Sequence, residues 1–472
     1  MKGFIMLCIA SCLLLCSASP LQAKDDPVQA KGMWVWDYYH SVHTEEQREQ
    51  LIQFALVNHI NLLFVGTRLT LSDHPEAYAD LIQRAHEHGI RLYALAGEAS
   101  WALEDRHAYA LEHIRQVLDF NADHPSNPFD GLQLDIEPYT LSGFSDHMEE
   151  ISSQFLRLLD NAAALVAEHD SGKRLALDAA VPFWYAASDH PRTVTYNGAS
   201  KPLSHHILDI VDSVSIMAYR DNADEQIELS RNDVEYAGSL GKIAYIGTET
   251  MPPDGEQIPE RITYHHKKVS YMNDQLDAIY QAYSGVSGFG GVAIHSYDSF
   301  KIMKEREEIR LTQRFQELKA AGIMTGYADG SAGFEKSATR AELAAIAARM
   351  SGFTEATTVQ PSTASFQDVP QDLWFYGWIE TAHRMGVMQG RGGGVFDPDA
   401  KITMEEALIV MAKLLNLPES EGAAVQGSSP WAHGWIQSAL NHSLMESRQS
   451  YIKEMTRGEL VDVVFETYTR RR

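Results

Sequence analysis

Two carboxylates stand two positions apart in the segment FDGLQLDIEPYTL, residues 129–141. Apolar and polar residues alternate up to this pair, which is typical of a buried β-strand. Because side chains two positions apart on a strand point the same way, Asp135 and Glu137 are predicted to project together where the strand ends. Adjacent carboxyl groups suit acid–base chemistry, since burial and a nearby anion keep one of them protonated near neutral pH.

The surrounding sequence, from residue 31 to residue 305, alternates apolar β-rich segments with amphipathic helical ones. The eight β-rich segments read GMWVWDYY, INLLFVGTR, IRLYALAGEA, FDGLQLDIEP, RLALDAAVPFWY, DSVSIMAYRD, KIAYIGTET and GFGGVAIHSYD. Segments such as TEEQREQLIQFALVNH lie between them and carry apolar residues at intervals of three and four. Eight strands with intervening helices predict an α/β fold, a (β/α)₈ barrel, rather than an open sheet.

The C-terminal ends of the strands form the rim where such barrels place their chemistry. Acidic and aromatic residues converge there in this sequence, as a sugar-binding cleft requires. The candidates at the strand ends are Trp36, Asp37, Arg68, Glu98, Asp135, Glu137, Trp184, Tyr185, Tyr219, Glu249, His295 and Tyr297.

After residue 305 the pattern changes to short helical segments, and an internal repeat is visible. WFYGWIETAHRMGVM aligns with WAHGWIQSALNHSLM, and RFQELKAAGIMTG is a third, weaker copy. Each copy is followed by a helix start that contains threonine, in ATRAELAAI, ITMEEALIV and MTRGELVDV. These copies predict an α-rich unit of three repeats, at residues 311–353, 364–416 and 428–472.

The segments SFQDVPQDLW, GIMTGYADG, GVFDPDAKIT, TRAE and TRGE resemble surface-layer homology repeats. The resemblance implies non-covalent attachment to the cell-wall polysaccharide of a Gram-positive-type envelope. It also implies that Arg340 and Arg457 contact an anionic sugar, which suits a guanidinium fork. Met404 replaces the arginine of the second repeat.

Two tryptophans of the repeats, Trp378 and Trp435, are further candidates for contact with the wall polysaccharide. Packing in the core is the alternative for both, because large aromatic side chains are often buried. The threonine and glutamate of each Thr-x-x-Glu motif also fit a helix capping box. The motifs therefore leave a ligand role and a structural role open.

The segment FDGLQLDIEPY resembles the fourth-strand signature of glycoside hydrolase family 18, the chitinase-like barrels, which reads Asp-x-x-Asp-x-Asp-x-Glu. Asp130, Asp135 and Glu137 match this signature, and Gln133 replaces its second aspartate. Gln133 is retained as a candidate substrate contact.

Two further segments share this resemblance. SIMAYRD falls where the family has a Met-x-Tyr-Asp segment, with Arg220 in place of the aspartate. GFGGVAIHSYD resembles a Gly-Gly-x-x-x-Trp ending, with His295 or Tyr297 in place of the tryptophan.

The resemblance implies a substrate-assisted hydrolysis of a β-linked glycan that contains N-acetylhexosamine. Glu137 would protonate the glycosidic oxygen, and Asp135 would orient the N-acetyl group, whose carbonyl attacks the anomeric carbon. Tyr219 would hold that carbonyl through its hydroxyl.

Two alternatives stay open. Glu249 could pair with Glu137 as nucleophile and acid/base of a direct double displacement, although such barrels usually carry Asn where this chain has Ile136. The replacements Gln133 and Arg220 also fit a protein that has kept a sugar cleft without turnover and acts as a lectin-like or structural surface component.

The chain has 472 residues and a formal net charge of −25, which argues against general binding to nucleic acid or anionic lipid. Residues 1–23 predict a secretory signal, with a lipoprotein signal at Cys12 as the alternative. The three cysteines all lie in this segment, so a secreted protein of the bacterial cell surface, without disulfides, is expected. No later segment predicts a membrane span, and no motif predicts a metal ion or cofactor.

Overall fold

The computed structural model describes residues 29–169, 174–255, 258–422 and 424–472. The predicted signal segment and its cysteines lie outside the described residues. The described chain has two main hydrophobic cores, one within the first 303 residues and one from residue 311 onward.

The described chain contains ten strands: β1 Ala30–Val35, β2 Leu62–Gly66, β3 Arg91–Ala96, β4 Gly131–Leu134, β5 Ala176–Pro182, β6 Thr193–Tyr196, β7 Ala199–Pro202, β8 Ser213–Met217, β9 Ile243–Glu249 and β10 Phe289–His295. Eight of them are parallel and close a barrel in the order β1-β10-β9-β8-β5-β4-β3-β2, which confirms the predicted (β/α)₈ fold. All eight predicted segments supply a barrel strand, and the separate antiparallel hairpin of β6 and β7 was not predicted.

Helices follow the barrel strands and cover the barrel. They are α1 Tyr38–Ser41, α2 Glu45–Val57, α3 Pro75–Glu87, α4 His107–Asp123, α5 Met148–Glu168, α6 Leu203–Ile210, α7 Ala223–Ser239, α8 Val269–Ala282 and α9 Tyr297–Ala320. Thr44 and Gln47 form a capping box at the start of α2, as the sequence TEEQ suggests. Helix α9 runs without interruption across residues 305–311, where the sequence predicted the junction between barrel and repeats.

Glycine allows one close approach at the barrel rim. A Cβ atom on Gly97, just after β3, would lie 1.8 Å from the carbonyl oxygen of Asp135. Only glycine therefore lets the end of β4 pack this closely against β3. The backbone N–H of Asp135 donates to the carbonyl of Ala96 at 2.9 Å and continues the sheet pairing to the first carboxylate.

The C-terminal unit contains α10 Arg340–Met350, α11 Tyr376–Arg384, α12 Met404–Leu414, α13 His433–Asn441 and α14 Arg457–Arg471. Helices α10, α12 and α14 each begin at a threonine capping box, which confirms the capping role of these motifs. Short backbone bridges join the three starts in a ring: Ser337 to Thr456, Thr339 to Lys401, and Thr403 to Glu454. The three repeats therefore associate within one chain.

Candidate active site

Asp135 and Glu137 follow the end of β4, and they lie close enough for the charge of Glu137 to act on the carboxyl group of Asp135. The Oδ1 atom of Asp135 is buried, and none of the described residues forms a hydrogen bond with it. Burial, together with the charge of Glu137, raises the pKa of Asp135 to about 7, against an opposing effect of His295. Near neutral pH this carboxyl group is therefore balanced between its two protonation states, with one oxygen available for a partner.

Glu137 is held by a residue that the sequence analysis did not single out. The hydroxyl of Tyr139 donates to Oε1 of Glu137. The ring of Tyr139 meets the ring of Trp184 edge to face at 5.1 Å, and Trp184 meets Tyr185 in the same way at 4.7 Å. Burial and the charge of Glu137 raise the pKa of Tyr139, so its hydroxyl stays a donor. The signal in the sequence that could have identified Tyr139 is its position two residues after Glu137.

A buried polar network lies one layer deeper in the barrel. Oε1 of Gln133 accepts a hydrogen bond from the Trp34 indole at 2.5 Å, and its Nε2 donates to Asp178 at 2.7 Å and to Ser215 at 2.8 Å. Asp178 is the register partner of Gln133 on β5 and also accepts from the hydroxyl of Ser213 at 2.5 Å. Burial raises the pKa of Asp178 to about 6, although these hydrogen bonds act in the opposite direction.

Asp178 and Trp34 were missed by the sequence analysis. Asp178 interrupts the apolar run LALDAAVP, and a charged residue inside such a run is a signal of a buried polar partner. The acid that the fourth-strand signature lacks at Gln133 is thus present on the neighbouring strand.

Glu249, at the end of β9, is buried and has its carboxylate engaged. Its Oε1 accepts the backbone N–H groups of Thr250 at 2.8 Å and Met251 at 2.7 Å, and its Oε2 lies 3.0 Å from Nδ1 of His295. The Trp36 indole donates to Nε2 of His295 at 2.9 Å. Since Nε2 accepts, Nδ1 carries the proton and donates to Glu249. Glu249 therefore orients His295.

Tyr219 lies between these two groups of residues. Its ring stacks on His295 with a centroid distance of 6.0 Å. Burial raises the pKa of Tyr219 well above its usual value, and the charges of Glu249, Asp135 and Glu137 act in the same direction. The phenol therefore remains a hydrogen-bond donor close to three carboxyl groups. The neighbouring residue, Arg220, forms an ion pair of 2.9 Å with Glu225.

The aromatic candidates at the rim differ in how far they are exposed to solvent. Trp36 is 40% exposed, and Trp184 is half-buried with the Arg192 guanidinium 5.3 Å from its ring. Tyr185 is buried, and its hydroxyl has no partner among the described residues. Trp184 contacts Tyr139, the partner of Glu137, and Trp36 contacts His295.

Other candidates have partners outside the pair of carboxylates. Arg68 and Glu98 form an exposed ion pair of 3.2 Å. Asp37 caps α1 through His40. The structure does not bring Tyr297 into the cleft, because it is the first residue of α9 and packs against Phe54 with a centroid distance of 5.2 Å. Asp130 lies at the opposite end of β4 from the paired carboxylates and binds His86 at 2.8 Å.

In the repeats, the structure places Arg340 and Arg457 in the interior. Arg340 donates to the carbonyls of Phe396 and Gln389, each at 2.9 Å, and to Glu406 at 3.0 Å. Arg457 has the equivalent partners Ala332, Thr325 and Glu342. Each guanidinium thus joins the start of one helix to the loop and capping glutamate of another repeat.

The two tryptophans of the repeats differ. Trp378 is buried beside Ala345 and Ala348, with the Arg349 guanidinium 4.5 Å from its ring. This placement agrees with the core alternative. Trp435 is half-buried, with the Lys413 ammonium 5.6 Å from its ring.

Comparison with known families identifies part of the C-terminal unit. Residues 365–408 match the S-layer homology domain. The cell surface protein of Thermoanaerobacter kivui is 29% identical over 145 residues, which are 30% of this chain and 18% of that protein. The middle cell wall protein of Brevibacillus brevis is 26% identical over 145 residues, 31% of this chain and 13% of that protein. The chain spans less than a fifth of the length of the curated relatives it matches.

Solved structures resemble the barrel part of the chain. A family 18 chitinase from Pseudoalteromonas aurantia has a TM-score of 0.39 at 11% identity and covers 57% of this chain and 94% of its own. The spore cortex-lytic enzyme of Bacillus cereus has a TM-score of 0.38 at 12% identity and covers 57% of this chain and 70% of its own. Similarities at these scores and identities carry no argument about function. No helix in the described parts of the chain has the length and apolar character to cross a membrane.

Proposed function

We propose that this chain, a cell-surface protein with an S-layer homology domain, is a glycoside hydrolase held at the cell wall by its repeats. The observation that carries the proposal is the pairing of Asp135 with Glu137, in which Asp135 keeps a buried oxygen that accepts no hydrogen bond from any described residue. A buried unpaired carboxyl oxygen is costly, and a substrate N–H group would satisfy it. The substrate class that fits is a β-linked glycan containing N-acetylhexosamine.

The proposed reaction assigns one task to each group. Glu137 gives its proton to the glycosidic oxygen as the bond to the anomeric carbon breaks. The carbonyl oxygen of the substrate's N-acetyl group attacks that carbon, and Asp135 accepts the N–H of the same group. Water then opens the cyclic intermediate after losing a proton to Glu137. The Tyr219 hydroxyl donates to the carbonyl oxygen and keeps it aligned.

The contacts of Glu249 bear on the two-glutamate alternative. Its Oε1 already accepts two backbone N–H groups and its Oε2 accepts from His295. Three donors occupy most of the lone-pair sites of a carboxylate and stabilise its charge, which lowers its reactivity as a nucleophile. These contacts support Glu249 as the group that positions His295, and hence Trp36 and Tyr219, around the cleft.

A lectin-like surface protein without turnover is the second candidate, and the amide at Gln133 is the observation that favours it. An amide cannot take up or release a proton, so it does not replace an aspartate in a charge relay. The carboxylate of Asp178, 2.7 Å from that amide, supports the hydrolase instead.

Release of reducing sugar from chitin oligomers, peptidoglycan and neutral β-glucans tests the proposal. Wild type, Glu137→Gln and Glu249→Gln are compared. Substrate-assisted hydrolysis predicts turnover of N-acetylated glycans that is abolished in Glu137→Gln and retained in part in Glu249→Gln. Abolition in both variants with turnover of neutral glucans would instead support the two-glutamate mechanism. Binding without turnover in wild type would support the lectin.

A further inference from the structure

Three glutamates occupy equivalent places in the repeats, at the third residue of α10, α12 and α14. Each closes the capping box of its own helix. Two of them also receive a buried guanidinium from the first residue of another of these helices. Arg457 binds Glu342 at 2.7 Å, and Arg340 binds Glu406 at 3.0 Å. In the same pattern, the third glutamate, Glu459 of α14, would pair with the first residue of α12, which is residue 404.

Residue 404 is methionine, and an arginine from elsewhere binds Glu459. Arg448, in the loop before α14, donates to Glu459 at 2.6 Å. Its counterpart in the second repeat is Arg391, since VMQGR aligns with LMESR. Arg391 binds Glu406 at 3.2 Å and has a side chain that is 45% exposed, whereas the Arg448 side chain is only 9% exposed. Something other than the repeats therefore covers Arg448.

The cover is α8, a helix of the barrel. Arg448 forms an ion pair with Asp274 and donates to the carbonyl of Ser270 at 3.5 Å. Lys453, in the same loop, forms an ion pair with Asp277, one turn further along α8.

Helix α14 adds a second group of ion pairs to the same contact. Asp462 lies 3.3 Å from Lys268, which precedes α8, and 3.0 Å from Arg314 of α9. The charges of the barrel and of the third repeat are therefore complementary over two turns of helix.

The empty volume beside Met404 differs from that at the junction of the first and third repeats. Beside Met404, where Lys268, Ser270 and Tyr271 form the opposite wall, the remaining cavity is about 30 Å³, room for one water molecule. A cavity of about 1020 Å³ lies where the first and third repeats meet the barrel, against residues 330–335, the start of α14 and helices α2, α8 and α9, and Arg448 and Asp274 are part of its wall. A cavity of the second size accommodates a small oligosaccharide, and the first does not.

We infer that the groove at Met404 is a docking site for the barrel of the same chain, which closes this groove to wall polysaccharide. This inference rests on the proposed function in one respect, the attachment of the repeats to polysaccharide. The docking itself depends on the ion pairs of Arg448 and on the loss of the arginine at position 404. Binding of glycan in the groove at Met404 would require the barrel to leave it.

Amide hydrogen exchange of the whole protein tests the docking. Wild type is compared with Arg448→Glu and with the matched control Arg391→Glu. Reversal of the charge beside Asp274 and Glu459 should release the contact and speed exchange in α8 and in residues 444–453 on the order of ten-fold. Arg391→Glu should leave α8 unchanged. Equal exchange in α8 for wild type and Arg448→Glu would overturn the inference, provided that the barrel strands keep their protection in both. If Arg448→Glu does not fold, Asp274→Asn gives the same test from the barrel side.

Wall polysaccharide released from bacterial sacculi is then added to wild type. New protection is expected at residues 389–397 and 325–334, and none at residues 444–453. New protection at residues 444–453 as well would overturn the closure of the groove at Met404. Absence of protection at every segment would refute the proposed attachment of the repeats to polysaccharide. The comparison of amide exchange in the free wild type and variants would still test the docking of the barrel.

Discussion

The amide of Gln133 donates a hydrogen bond of 2.7 Å to the carboxylate of Asp178, its register partner on the neighbouring strand. The pair lies below Asp135, so the negative charge nearest to the catalytic candidates from within the barrel comes from β5. The Gln133 amide joins the Asp178 carboxylate to the Trp34 indole through two hydrogen bonds and fixes both groups. This arrangement makes the protonation of Asp135 depend on a residue of another strand.

Replacement of Asp178 tests that dependence. The charge of Asp178 raises the pKa of Asp135, so Asp178→Asn should move the titration midpoint of Asp135 downward from about 7. Carbon-detected NMR of labelled aspartate carboxyls measures the midpoint, with Asp135→Asn to assign the signal. His295, Glu137, Tyr219 and Glu249 also face this group and are unchanged in the variant. An unchanged midpoint would show that Asp178 only packs the barrel.

The stability of the protein should fall as the pH rises through the titration of Asp135. Its pKa is raised from 3.8 to about 7 in the folded state, so the folded state binds the proton more tightly than the unfolded chain. The resulting stabilisation is complete below about pH 4 and is lost as the pH approaches and passes 7. Asp135→Asn should therefore be more stable than wild type at pH 8, by roughly 2 to 4 kcal/mol, and similar to it at pH 4. Urea unfolding at both pH values measures this, and an equal difference at both would contradict it.

Loss of the Tyr139 hydroxyl should impair turnover more than binding. Tyr139→Phe removes the donor that orients Glu137, a hydrogen bond to a charged group worth about 1.5 to 3 kcal/mol, so kcat should fall roughly 10- to 100-fold with a small change in KM. Tyr185→Phe is the matched control, because no described residue pairs with its buried hydroxyl. Similar losses in both variants would indicate repacking of the aromatic cluster instead.

The interior arginines of the repeats should matter for stability. Arg457→Ala leaves Glu342 and two loop carbonyls without their buried donor and should cost about 3 to 5 kcal/mol. Arg391→Ala removes a largely exposed partner and should cost at most about 1 kcal/mol. Denaturant unfolding of the whole protein measures both. Equal costs would show that Arg457 is not part of the structural core.

Strand periodicity was sufficient to predict the barrel, because it depends only on local sequence. The eight barrel strands follow from the pattern within each segment, and the shared direction of Asp135 and Glu137 stays a prediction of the same pattern. Contacts between strands could not be predicted in the same way. Asp178 meets Gln133 only because β4 and β5 align at one register, which no local pattern specifies.

Local sequence patterns also could not predict the direction of side chains in the repeats and at the start of α9. The Thr-Arg-x-Glu motif predicted a helix start, and a capping box is present at each one. Whether Arg340 points to solvent or inward depends on the loop of the next repeat, which lies more than forty residues away. Tyr297 follows β10 directly and was assigned to the rim, but α9 begins there and turns its ring into the core.

Helix α9 contains 24 residues and is about 36 Å long, and it serves both the barrel and the repeats. A catalytic domain on a flexible tether samples a volume that grows with the length of its linker. With a shared helix in place of a tether, the mouth of the cleft would keep one height and one orientation above the attached wall. The proposed hydrolase would then cleave only glycan strands that reach that height. The repeats bound to the wall would therefore determine which layer of the envelope is hydrolysed.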